Sequence, residues 1–177
     1  MASTASARRG APRKRQGRST LAIYREGGTT PEIAFTLLLV LTGRRWRSLL
    51  DEHLRPIEQS AARMEALAAI VNSPPLPAQV DIAKRLRIEG PTLTRMLDTL
   101  EADGLVERLA DPGDRRTKQL RVTGAGEAAL EQIFNVADQL RARLLDGIEP
   151  ARVAAMNEFF AGLLGRLDSG LPPPGDG

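Results

Sequence analysis

The sequence predicts a mainly α-helical chain of the α+β class, and three observations carry that prediction. Apolar residues recur at helical spacing through most of residues 30–168. The period drops to two over one short stretch near 105–123. Both ends are rich in charge or in helix breakers.

Residues 1–28 read as a basic disordered tail. Their opening, "MASTASARRGAPRKRQGRST", is polar, cationic and poor in large apolar side chains. It serves either as a solubilising tail or as an arm that adds nonspecific phosphate attraction. The first helix opens at "TTPEIAFTLL", with Thr30 as N-cap, Pro31 at the first helical position and Glu32 in the first turn. Ile33, Leu37, Leu38 and Leu41, then Trp46, Leu49, Leu50 and Leu54, keep the period until Pro56 stops it. A second helix covers about Gln59 to Val71, and "AQVDIAKRLRI" supplies a short third through Ile82, Ala83 and Leu86. "GPTLTRMLDTLEADG" supplies a fourth, starting at Pro91 and ending at Gly104.

The period then changes. "LVERLA" and "KQLRVT" flank "DPGDRRT", which reads as two short strands around a turn of Asp111, Pro112 and Gly113. Helical spacing returns from about Gly124 to Leu145 and again from Pro150 to Leu167. Residues 170–177 form a second disordered tail, since "SGLPPPGDG" cannot continue a helix.

Composition narrows the function. The 177 residues make one domain's worth of material, and no cysteine is present. Disulfides, thiolate metal sites, cysteine nucleophiles and thiol redox sensing are excluded together. A lone histidine, His53, makes a zinc site implausible, and its position suggests a helix-end residue; no metal or cofactor is expected. No run reaches the roughly 18 apolar residues of a membrane span, so no membrane partner is expected and the chain reads as cytoplasmic. Enzyme signatures are missing: there is no G-x-S-x-G, no glycine-rich phosphate loop and no paired-carboxylate arrangement. The pI of about 9.9 points towards nucleic acid only weakly. Residues 1–19 hold six cations and no acid, so the formal +3 of the whole leaves about −3 for everything after them.

Helix, helix, short helix, helix, hairpin is the order of a winged helix-turn-helix, expected over about 57–123. A helix fits the major groove, and a hairpin beside it reaches the neighbouring minor groove. A narrow minor groove concentrates negative potential and attracts long cations, a role that suits Arg115 and Arg116 at a wing tip, with Asp114 positioned to hold one of them. The bland alternatives are a solvated turn for "DPGDRRTK", a surface arginine for Arg95 and a solvated face for Lys84, Arg85 and Arg87.

The stretch "IEGPTLTRMLDTLEADGLVERLADPGDRRTKQLRVTGAG" resembles the MarR family of bacterial transcriptional regulators, and its SlyA-like branch in particular. The features that match are "GPTLTRMLDTLE", "GLVER", "DRR" and the T-x-x-G that opens the next helix. "RRWRSLLDEHLRP" is similar to that branch's first dimerisation helix. The resemblance spans about Pro31 to Leu130 and continues in pattern only beyond it.

The resemblance implies a homodimer. Its domain would cover 29–169, with dimerisation helices at about 30–55 and 124–168 around the winged helix-turn-helix. It implies a pseudo-palindromic double-stranded DNA operator, read in the major groove by Thr92, Thr94 and Arg95. Asp114, Arg115, Arg116 and Lys118 would act at the wing, while Leu93, Leu97 and Leu100 face the core. Repression released by a small aromatic or phenolic acid follows from the same likeness, with Arg44 meeting the carboxylate and Trp46, Ala61, Met64 and Ala68 as apolar walls. Met64 and Ala68 stand where some relatives carry an aromatic and a histidine, which implies a roomier pocket. Trp46 has a second reading as core or interface packing. One departure stands out: relatives often have Leu-Gly-Ile where this chain has "LRI", placing Arg87 at the glycine position and predicting a changed turn or left-handed strain there. The rival reading is a winged helix that works through protein–protein contacts or nonspecific DNA binding.

Overall fold

The computed structural model describes residues 19–111, 113–114 and 117–171. The chain divides into two units, 1–46 and 47–177.

In the first unit, helix α1 spans Thr20–Arg25, capped by the Ser19 hydroxyl, which accepts the Ala22 N–H at 3.3 Å. These six residues correct the expectation of an unstructured tail through residue 28. The helix buries no side chain, so no apolar stripe announces it. Helix α2, Pro31–Leu54, begins in this unit and continues into the next. The Thr30 hydroxyl accepts the Ile33 N–H at 3.4 Å, the expected capping contact. Phe35, Leu37, Leu38, Leu39, Val40 and Leu41 are all exposed along α2.

The second unit holds the core. After the last turn of α2 and a 3-10 turn at Arg55–Ile57 come α3 (Ala61–Val71), α4 (Gln79–Leu86) and α5 (Gly90–Ala102). Strands β1 (Val106–Ala110) and β2 (Lys118–Val122) pair antiparallel, from Val106 opposite Val122 to Ala110 opposite Lys118. Helices α6 (Gly124–Leu144) and α7 (Pro150–Asp168) follow. Leu50 and Leu54 of α2, Leu67 of α3, Ile82 of α4, the three leucines of α5, Val106 and Leu120 of the hairpin and Ile133 of α6 are almost completely buried. Each such side chain contributes about 2 kcal/mol by leaving water.

Two residues join the hairpin to α6. Thr123 donates its hydroxyl to the Gly104 carbonyl at 2.7 Å, and its oxygen accepts the Gly126 N–H at 3.0 Å. Gly126 is buried beneath them, where a Cβ would stand 2.1 Å from the Leu105 carbonyl oxygen. The T-x-x-G pattern therefore has a steric cause.

Helix α7 differs from the rest. None of its residues is buried, and Met156, Phe159, Phe160, Leu164 and Leu167 are exposed along it. No helix among the described residues is long and apolar enough to cross a membrane.

Candidate nucleic-acid interface

The interface is built on α5. Leucines at 93, 97 and 100 are fully buried, as their helical spacing predicts, and this sets the opposite face outward. Thr92 and Arg95 are exposed on that face near the helix start, and Thr94 is half-buried between the two. Gln79, the first residue of α4, donates its amide N–H to the Thr94 hydroxyl at 2.8 Å, which in turn donates to the Gly90 carbonyl at 3.0 Å. The first turn of α5 is thus tied to the first turn of α4.

Between these helices Arg87 adopts the left-handed conformation, φ 53° and ψ 43°. Its N–H donates to Lys84 O and that of Ile88 to Ala83 O, both at 3.1 Å, closing α4. Arginine thus does a glycine's backbone work here, as the departure at "LRI" predicts. Its guanidinium forks onto the Asp168 carboxylate at the end of α7, with Nε to Oδ1 at 3.0 Å. The pair holds the arginine's pKa above its ordinary value and the carboxyl's below, in each case chiefly through the hydrogen bond.

The wing is anchored at three places. Leu120 N–H donates to Pro77 O at 2.9 Å, and Ala78 bridges Gln119, so the segment before α4 lies along β2. At the turn, the Asp111 carboxylate accepts the Gly113 N–H at 2.7 Å, the Asp114 N–H at 3.1 Å and the Gln119 amide at 2.7 Å. The Gly113 and Asp114 amides are the main reasons that Asp111 holds its proton less tightly than an ordinary aspartate. Thr117 donates its hydroxyl to Asp114 at 3.0 Å. Arg115 and Arg116 lie outside the described residues; Lys118 is exposed where β2 begins.

The third anchor is Arg108 on β1, which the sequence reading did not single out. It donates to the Thr94 carbonyl at 3.1 Å and to the Asp98 carboxylate at 2.6 Å, both on α5. Its Nε is buried without a hydrogen-bond partner among the described residues, 3.7 Å from the Glu101 carboxylate. Hairpin and recognition helix therefore move together. Between α4, the start of α5 and the wing base lies a cavity of about 580 Å³, with Lys84, Arg87 and Lys118 in its lining.

This arrangement has solved counterparts. The MarR family model matches residues 60–118, from the cap of α3 to the start of β2. A transcriptional regulator, PA3341, is 35% identical, with 76% of this chain and 98% of that one covered and a TM-score of 0.68. Wild-type MarR from E. coli in its apo form is 30% identical over 73% of this chain and 96% of that one, with a TM-score of 0.63. The chain belongs to the MarR family. A mutant MarR from E. coli complexed with operator DNA is 29% identical, covering 75% and 94%, with a TM-score of 0.68. The MarR-family chain described here is accordingly a transcriptional regulator with a winged-helix fold.

The residues expected around an effector are placed less uniformly. Arg44, exposed, and Trp46, half-buried, belong to the 1–46 unit. Ala61 is a correction: it is fully buried, with its N–H donated to the Asp51 carboxylate at 2.7 Å, and has no surface to form a ligand wall. Met64 and Ala68 do meet. They line a cavity of about 320 Å³ between α3, α4 and α6 whose other walls include Phe134, Arg85 and Arg141. Among the described residues no group of three or more His, Cys, Asp or Glu side chains is placed to hold a metal ion.

Proposed function

We propose that this MarR-family regulator, of the SlyA-like branch, is a cytoplasmic homodimer that represses transcription from a pseudo-palindromic operator. The observation that carries the reading is the recognition unit. Helix α5 is held by three buried leucines, exposes Thr92 and Arg95 and is clamped through Arg108 to a wing bearing Lys118. Arg95 reads guanine by its two-pronged donor set, with Thr92 and Thr94 beside it. Asp114 orders the wing, and Arg115 and Arg116 enter the minor groove. The second copy is argued from the bare apolar faces: a helix apolar around its girth, as α2 is at residues 37–41, belongs inside an assembly, and α7 offers a second such face. In this plan 1–28 and 170–177 are tails, and the dimerisation helices flank the winged domain at 57–123.

The effector is a small aromatic carboxylate. Met64 and Ala68 share a cavity with Phe134 and two arginines, a lining that suits a ring bearing an acid group. Arg44 and Trp46 extend the site in the reading drawn from the sequence. By preferring one spacing of the recognition helices, the ligand shifts the population that binds DNA.

The test is fluorescence anisotropy on DNA from around this protein's own gene at several salt concentrations, with Arg115→Ala/Arg116→Ala alongside. Tight binding to one segment, falling with salt and weakened in the double variant, supports the reading. Equal weak binding everywhere, lost on removing residues 1–19, contradicts it in favour of nonspecific binding by the tail.

A further inference from the structure

Two residues of this chain each sit where local physics disfavours them. Arg87 occupies a left-handed turn position that suits glycine, and Asp168 places a negative charge at the C-terminal end of α7, where the helix dipole opposes it. They meet each other in a two-pronged ion pair across 81 residues of sequence. Positions that break a local rule in mutual compensation are where function is to be sought.

The place of Arg87 indicates which function. It lines the cavity that Lys84, Thr94 and Lys118 also line, on the surface formed by the start of α5 and the base of the wing. A DNA strand lying against that surface brings phosphates to those cations. Phosphate and carboxylate present the same two-oxygen edge to a guanidinium, so they compete for it. Both partners remain about half exposed, leaving the pair open to exchange.

We propose that Asp168 is a built-in competitor for DNA phosphate at Arg87, so that the end of α7 withholds one backbone contact per protomer from the operator. This rests on the DNA-binding reading above. Operator engagement exchanges the carboxylate for a phosphate and frees the end of α7. By the same linkage, anything that fixes α7 against the turn weakens DNA binding.

The experiment measures affinity for the operator segment against salt for the full chain and for Asp168→Asn, Arg87→Gly and the double variant. Asp168→Asn is expected to bind more tightly at low salt. Its plot of log K against log salt should be steeper by about 0.9 for each Arg87 that reaches a phosphate. In the Arg87→Gly background, where glycine suits the turn, the same substitution should change nothing. Unchanged or weaker binding by Asp168→Asn overturns the proposal, as does an equal gain without Arg87, which marks a general charge effect. The Arg87 Nε–H resonance gives a separate reading: it should shift when DNA is added to wild type and already be shifted in free Asp168→Asn. Tight wild-type binding with no response in these variants removes this inference alone. A wild type that binds no segment removes the DNA reading and this inference with it.

Discussion

Arg108 on β1 and Asp98 on α5 form an ion pair at 2.6 Å, and the same guanidinium holds the Thr94 carbonyl one turn earlier. A strand residue thereby grips the recognition helix along the face that carries Thr94 and next to Arg95. The arginine is only 17% exposed while Asp98 is 58% exposed, so the cation is the more costly member to disturb.

Arg108→Ala is therefore expected to lower stability by about 2 kcal/mol, and to weaken operator binding more than Asp98→Ala does. Arg108→Lys should recover only part of both, because an ammonium cannot span the two acceptors. Urea unfolding at fixed protein concentration, with anisotropy on operator DNA, checks the order of the three variants.

Gly126→Ala should cost about 3 kcal/mol, since the new Cβ meets backbone at Leu105 and not a flexible side-chain end. The urea midpoint, again at fixed concentration, should fall without a change in slope. Gly124, where a Cβ meets nothing within 4 Å, is the control and should tolerate alanine.

The wing turn should be sensitive to acid. Asp111's folded pKa lies below its ordinary 3.8, so its contribution is present above that value and is lost as pH falls through the lower, folded one. The Gly113 and Asp114 amide resonances are expected to stay constant from neutral pH to about 4 and to move together below it. Asp111→Asn should remove that joint transition. Amides that move at the ordinary aspartate pKa would show that the turn does not depend on this carboxylate.

Leu38→Asp places a charge on the apolar girth of α2, where the side chain is 61% exposed in the single chain. If a second copy covers it, sedimentation should show a monomer, and operator binding should be lost with the two-fold arrangement. A dimer of unchanged affinity would move the interface elsewhere.

Much of this architecture was legible because local chemistry is strong where elements begin and end. Thr30 and Pro31 mark the start of α2, Pro56 its end, and Leu93, Leu97 and Leu100 face the core. The left-handed turn at Arg87 could be anticipated from the one residue out of place. Helix α1 could not, because it buries nothing and leaves no period. The grip of Arg108 depends on which strand face meets α5, and Gln79 on how two helix starts abut; neither leaves a mark in the spacing of residues. The Arg87–Asp168 pair joins positions that only the folded chain brings together. Ala61 was misplaced for a similar reason, since its small side chain on a helix face does not say whether that face is covered.

The central claim, that α5 reads the major groove through Arg95, is tested most directly by methylation interference at guanine N7 on the operator segment. A two-protomer complex predicts interference at guanines in two half-sites about 34 Å apart on one face of the duplex. Arg95→Ala should abolish the interference at one guanine per half-site and cost roughly 1–3 kcal/mol of affinity. Binding that ignores guanine methylation everywhere, with Arg95→Ala equal to wild type, would contradict the account.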